Sequence, residues 1–284
     1  MPVEHCHATA AMGCRVHPER IVAPVTPPPN TLSFVTFQSA RTARQLCAAA
    51  DEALTEAAFR TAGFAEPEGL FGKARTLAER DGDRMAEALA VGGLGMTLHY
   101  RNIAELVGGR APADADVAAE EGLMLLALAI WQEIGDAAGT ARALFGVGLV
   151  FQVLRRDWAA AMPYFWQAFG LAEAVEESGD LYGRSEIHRH LGFYYLVEDV
   201  RPNEAVRQLG YSLALREKLG DPRRIPSALA ALGEAEMAAG DLQRAVELLS
   251  RAVAAARDAD LLSWRIQDAE ENLRKAETAL SAAS

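Results

Sequence analysis

The chain has 284 residues, half of them apolar, and a formal net charge of −11. That length supports a buried core, while an acidic balance without any Lys/Arg-rich block argues against a direct nucleic-acid ligand and against an anionic membrane surface. Alanine is the commonest residue; together with Leu, Glu, Arg and Gln it favours helix, so an all-α chain with close helix–helix packing is expected.

The first thirty residues stand apart. "IVAPVTPPPNT" (Ile21–Thr31) carries four prolines and cannot be helix. Before it, His5, Cys6, His7, Cys14 and His17 could supply zinc ligands, but their spacing matches no common finger. Residues 1–30 are therefore expected to be a disordered or loosely attached tail with a Pro-rich linker, and no metal or cofactor is expected. Residues 31–284 are expected to form one helical repeat domain of about four to five hairpins plus a C-terminal capping helix. The three cysteines, Cys6, Cys14 and Cys47, are few and odd in number, which suggests a reducing compartment. With no leader-like N-terminus and no long uninterrupted apolar run, the expectation is a cytoplasmic protein.

Helical periodicity begins near Ser39. A helix near Ser39–Arg60 and another near Glu68–Glu79 would make a degenerate first hairpin. From there a turn pair recurs as Gly82-Asp83, Gly135-Asp136, Gly179-Asp180 and Gly220-Asp221, with Ala259-Asp260 as a weaker fifth copy. Glycine can end one helix in the left-handed conformation, and aspartate can cap the next. Thirteen residues after each glycine stands another: Gly95, Gly148, Gly192 and Gly233. A mid-helix glycine costs about 1 kcal/mol relative to alanine, so four at equivalent positions call for close approach of a partner helix. Matching small residues follow, with a large one between: Ala161, Phe165, Ala168; Ala205, Leu209, Ser212; Ala245, Leu249, Ala252. "RNIAELVGGRAPADAD" (Arg101–Asp116) lengthens the first of these units, and its second half reads as a loop. The apolar spacing of 241–258 and of Leu261–Ala282 marks two further helices, the last a cap.

A Leu-Gly pair with a large residue three further on ("LGFYY", "VGLVF", "LGMTL"), followed by a small–large–small set, resembles the tetratricopeptide repeat (TPR) family. Glu236 departs from the pattern in the fourth unit, and the family's closing proline is missing. The units are roughly 40–50 residues against about 34 for the family, like the long-helix TPRs of bacterial regulators; HEAT-type repeats are the alternative. The resemblance implies a right-handed superhelical solenoid of antiparallel helix hairpins whose first helices line a concave groove. It carries the groove positions onto Met96, His99 and Tyr100, then Arg142, Phe145, Leu149 and Gln152. In the third unit it gives Glu186, Arg189, His190 and Phe193, and in the fourth Ser227, Glu234 and Met237. Arg142 and Arg189 are the only cations in that set.

Within "EIHRHLGFYY" (Glu186–Tyr195), residues two apart point about 200° away from each other, so His188 and His190 cannot easily share a metal. His188 falls with Leu191 and Tyr195 on the packing face, and His190 with Glu186, Arg189 and Phe193 on the groove face. Glu186 is one turn from Arg189 and His190, a pairing of about 0.2–0.5 kcal/mol. The aromatic run "YFWQAF" (Tyr164–Phe169) reads as filling between stacked hairpins.

No phosphate loop, GxSxG elbow or HExxH is present, and "GGLG" (Gly92–Gly95) lies in helical periodicity, so no catalytic residue is assigned. The expectation is an interaction module, adaptor or regulatory, binding a peptide or protein partner in the groove; self-association stays open. The alternative is an enzyme or biosynthetic accessory protein holding a small ligand around Glu186, Arg189, His190 and His99. An open groove with scattered charges would favour the first, a deep closed pocket with a perturbed His190 the second.

Overall fold

The computed structural model describes residues 31–174 and 180–283. The N-terminal tail, with Cys6, Cys14 and its histidines, lies outside them, as does the turn residue Gly179. The described residues form helices only. These are α1 (Thr31–Glu56), α2 (Ala65–Asp81), α3 (Arg84–Val107), α4 (Asp114–Ile134), α5 (Ala137–Leu149), α6 (Trp158–Ala174), α7 (Leu181–Val197), α8 (Pro202–Leu219), α9 (Ile225–Ala239), α10 (Leu242–Asp258) and α11 (Ser263–Ala283). Helices α1 and α5 each continue into a π-helical turn, Ala57–Thr61 and Val150–Leu154. Successive helices pack as hairpins α1/α2, α3/α4, α5/α6, α7/α8 and α9/α10, with α11 laid on α10. The fold is an all-α solenoid of antiparallel helix hairpins.

The turn chemistry works locally. Gly82 and Gly135 close α2 and α4 at φ 68° and 76°, and the backbone N–H groups of Ala86 and Gly139 donate to the capping carboxylates of Asp83 and Asp136. Asp180 caps α7 in the same way through Gly183. Gly220-Asp221 differs: Asp221 accepts from the N–H of Arg223, and α9 starts later, with Pro226 in its first turn. At Ala259-Asp260, aspartate itself takes the left-handed conformation, φ 52°. The same Gly-Asp device also turns the last hairpin internally: Gly240 ends α9 at φ 92° and Asp241 caps α10.

Between helices, the four mid-helix glycines meet the large residue of the partner helix. A Cβ at Gly148 would lie 2.5 Å from Phe165, at Gly192 2.5 Å from Leu209, at Gly233 2.7 Å from Leu249, and at Gly95 3.0 Å from Met124. Ala161, Ala168, Ala205, Ser212, Ala245 and Ala252 flank these knobs and are buried. The longer first unit contains the expected loop, with Gly109 at φ 75° between α3 and α4. Ala137–Leu154 is long and apolar enough to cross a membrane by length and composition, yet here it is central to the core, with Val147, Leu149 and Val150 buried.

One feature is absent from the sequence pattern: the two ends of the solenoid meet. After its π-turn α1 stops at Ala62, φ 56°, and presents its last carbonyls to the far end of the chain. Leu262 N–H donates to Phe59 O at 2.8 Å, Arg265 donates twice to Ala58 O, and Arg60 donates to Ala259 O at 2.8 Å. Arginines near a helix C-terminus satisfy orphan carbonyls and complement the helix dipole. Ala58, Phe59, Ala256, Ala259 and Leu261 form a small apolar cluster under this seam. Beside it, Arg223 pairs with Glu52 and Glu56, and Arg224 donates to Thr55. The seam turns an open groove into a ring.

Candidate functional site

Inside the ring lies a cavity of about 760 Å³. Its wall includes Met96, His99, Tyr100, Arg142, Phe145, Leu149, Gln152, Glu186, Arg189, His190, Phe193, Ser227 and Glu234. First helices place them there because their groove faces repeat every three to four residues. Met237, placed with them by the sequence reading, is not on that wall. It sits near the end of α9, past the cavity, and packs against the apolar cluster of α9, α10 and α11.

The polar groups are held in a definite arrangement. Glu120 of α4 is fully buried and accepts from Nδ1–H of His99 and from the amide of Asn102, both at 2.8 Å. With Nδ1 so engaged, Nε2 is the nitrogen His99 has left for the cavity. His190 packs against the rings of Phe145 and Phe165, and its Nδ1 lies 2.5 Å from Gln152 Oε1. Burial, then the neighbouring Arg189 and His99, hold its pKa well below the usual histidine value, so the ring is neutral at pH 7. His188, by contrast, bonds Gln208 of α8 at 2.7 Å within its own hairpin and packs against Phe169 of the preceding one.

Glu186 does not pair with Arg189, as helical spacing suggested. Its carboxylate is taken by Arg216, which also donates to Ser185, Ser227 and the carbonyl of Arg224. Burial pulls the Arg216 pKa down to about 10. Arg189 instead stacks on Phe193, 4.6 Å from the ring centre, and its Nε is buried with no hydrogen-bond partner. The hydroxyls of Tyr100 and Tyr182 meet at 3.2 Å, and the guanidinium of Arg224 lies 3.6 Å over the Tyr182 ring. Burial, then the Tyr100 neighbour, pushes the Tyr182 phenol up. Arg265 reaches in from α11 across Phe59 and Trp264, and burial lowers its pKa to about 10.

Two carboxyls feel the same low-dielectric surroundings. Asp51 on α1 is raised by burial against the pull of Arg224 and Arg142, and Glu234, hydrogen-bonded by Asn272, is raised by burial and then by Asp268. Arg142 is tied to Asp180 at 2.8 Å. Cys47 also lines the wall; burial raises its thiol to about 11, which keeps it protonated and unreactive.

The sequence reading therefore undercounted the cations. Arg44, Arg216, Arg224 and Arg265 join Arg142 and Arg189 at the wall. Arg44 comes from α1, the first helix of the degenerate first hairpin, and the others from a second helix, an inter-hairpin loop and the cap, outside the four units to which the groove pattern was applied. Tyr182 was legible: with Glu186, Arg189 and Phe193 it forms one helical stripe on α7. A second stripe on α1, Arg44, Cys47, Asp51 and Thr55, shares that spacing, but only the seam shows what it faces. Among the described residues no cluster of His, Cys, Asp and Glu could hold a metal ion.

No protein-family model matches the chain, and no curated protein matches it. Among solved structures it is similar to BtubC (BKLC) from P. vanneervenii, at 18% identity and TM-score 0.45, covering 80% of this chain and 92% of that one. It is also similar to TPR-like repeats of a kinesin light chain from Podosopora anserina, at 16% identity and TM-score 0.47, covering 76% and 95%. The likeness is one of hairpin-repeat architecture.

Proposed function

We propose that this chain is a helical-repeat binding protein whose ring of hairpins encloses a small organic ligand. The observation that carries this reading is the seam between α1 and the α10–α11 junction, which closes the groove into a chamber of about 760 Å³. Small-molecule sites typically occupy about 300–1,000 Å³, with an apolar lining and a few convergent polar groups. A neutral, buried His190, a fixed His99–Glu120 pair and the Tyr100–Tyr182 hydroxyls supply those groups. Asp268, on the wall yet solvent-exposed, favours a second reading, in which a short peptide segment enters the same chamber as part of an adaptor or regulatory contact.

The test is occupancy of the chamber. The neutral fluorophore N-phenyl-1-naphthylamine should bind the purified full chain saturably, one molecule per chain. Ala230→Trp, on the wall of α9, should abolish binding while leaving the helical circular dichroism intact. Absence of saturable binding, or binding unaffected by A230W, refutes a ligand chamber.

A further inference from the structure

Among the described residues, two guanidiniums in the chamber form no ion pair with a carboxylate. Among the described residues Arg189 forms no ion pair and no hydrogen bond; its only close partner is the face of Phe193. Arg265 gives Nε and one terminal nitrogen to the Ala58 carbonyl and forms no ion pair. Both line the wall of the same cavity. The carboxyls of Glu234 and Asp268 act electrostatically on Arg189, and Asp268 on Arg265, but make no ion pair with either; Glu234 accepts from Asn272 through one oxygen, and Asp268 is exposed. Every other arginine on the wall is engaged with a carboxylate, Arg44 with Asp83, Arg142 with Asp180, Arg216 with Glu186 and Arg224 with Asp221.

A half-buried cation with no carboxylate in contact is poorly compensated, and a guanidinium fork is suited to carboxylate and phosphate oxygens. The surrounding surface is aromatic: Phe193 beneath Arg189, Phe59 and Trp264 beneath Arg265, and Tyr100 of α3 packed against the seam cluster. We infer that the chamber takes an apolar organic acid, its anionic head held by Arg189 and Arg265 and its body against these rings. The inference rests on the ligand-chamber reading and adds the chemical class. Burial lowers the pKa of both guanidiniums, as it does that of the paired Arg216, so the missing ion pair is read from the contacts and not from the titration.

The experiment compares two probes sharing one aromatic skeleton, N-phenyl-1-naphthylamine and its sulfonate, 1-anilinonaphthalene-8-sulfonate, on the full chain. The sulfonate should bind at least tenfold more tightly, and added sodium chloride should erode that preference without affecting the neutral probe. Arg189→Met should remove most of the preference, Arg189→Lys should keep part of it, and neutral-probe affinity should stay constant in both, reporting an intact chamber. If R189M fails to fold, the salt titration of the unaltered chain and the R189K variant decide. Equal affinity for the two probes, or a preference that survives in the Arg189→Met/Arg265→Met double variant, overturns the inference and leaves the chamber standing. Binding of neither probe overturns both. Competition by 1-naphthoate and by 1-naphthyl phosphate separates a carboxylate from a phosphate head; displacement by neither rejects an organic acid.

Discussion

At the scale of single residues, burial decides what the histidines and glycines do. His190 is neutral because protein, Arg189 and His99 all oppose its charge. Its folded pKa lies below the unfolded value of about 6.5, so in acid the unfolded chain binds the proton first and stability falls as pH drops below about 6.5. Asp51 and Glu234, raised by burial, act in the opposite sense, so the variant must be compared with its parent. His190→Gln should flatten the acid loss by up to about 1.4 kcal/mol per pH unit, measured by urea unfolding between pH 7.5 and 5. Parallel pH profiles would show that His190 is not held neutral. The glycines divide by environment in the same way. Gly192→Ala drives a Cβ into Leu209 and should destabilise by about 1–3 kcal/mol. Gly210→Ala, on the adjoining helix with nothing near it, should stabilise by about 0.5–1 kcal/mol. Thermal melts of the pair test whether close packing, rather than helix propensity, holds the repeated glycines.

Among the elements, the hairpins follow from local rules and the seam does not. Gly-Asp turns, small–large–small stripes and the α3–α4 loop were legible because each needs only residues near one another in sequence. The seam joins residues about two hundred positions apart and depends on where α1 ends. Its π-turn and the left-handed Ala62 aim the Ala58 and Phe59 carbonyls at Arg265 and Leu262. No periodicity marks that geometry. Phe59 is the part most exposed to a test, since it is buried and carries both Arg224 and Arg265 on its ring. Phe59→Ala should cost about 3–5 kcal/mol locally and strip hydrogen-exchange protection from the Leu262 amide before the α5 and α7 amides. Uniform loss of protection would mean that the seam is not a separate unit.

For the molecule as a whole, nearest-neighbour contacts would give an extended solenoid, and the terminal contacts close it into a ring. Arg223 binds Glu52 and Glu56 of α1 across that closure and Asp221 within its own loop. Exposed pairs contribute little singly, about 0–1 kcal/mol, but a reversed charge would face three carboxylates at once. Arg223→Glu should increase the radius of gyration in small-angle scattering and weaken N-phenyl-1-naphthylamine binding at least tenfold, with helix content unchanged. An unaltered scattering curve would show that the ring closes without this cluster.

The sequence by itself determined the all-α hairpin repeat, most of its turns, the knobs Phe165, Leu209 and Leu249 against three of the four mid-helix glycines, and the spacing of Glu186, Arg189 and His190 on one helix. These depend on a period of 3.6 residues and on pairs a few tens of residues apart. Only the tertiary structure decided that the groove is a chamber, that Arg216 rather than Arg189 claims Glu186, and that Arg265 and the α1 stripe belong to the same wall. Those facts rest on how small rotations between hairpins add up around the whole stack until its ends touch, a sum that no local pattern contains.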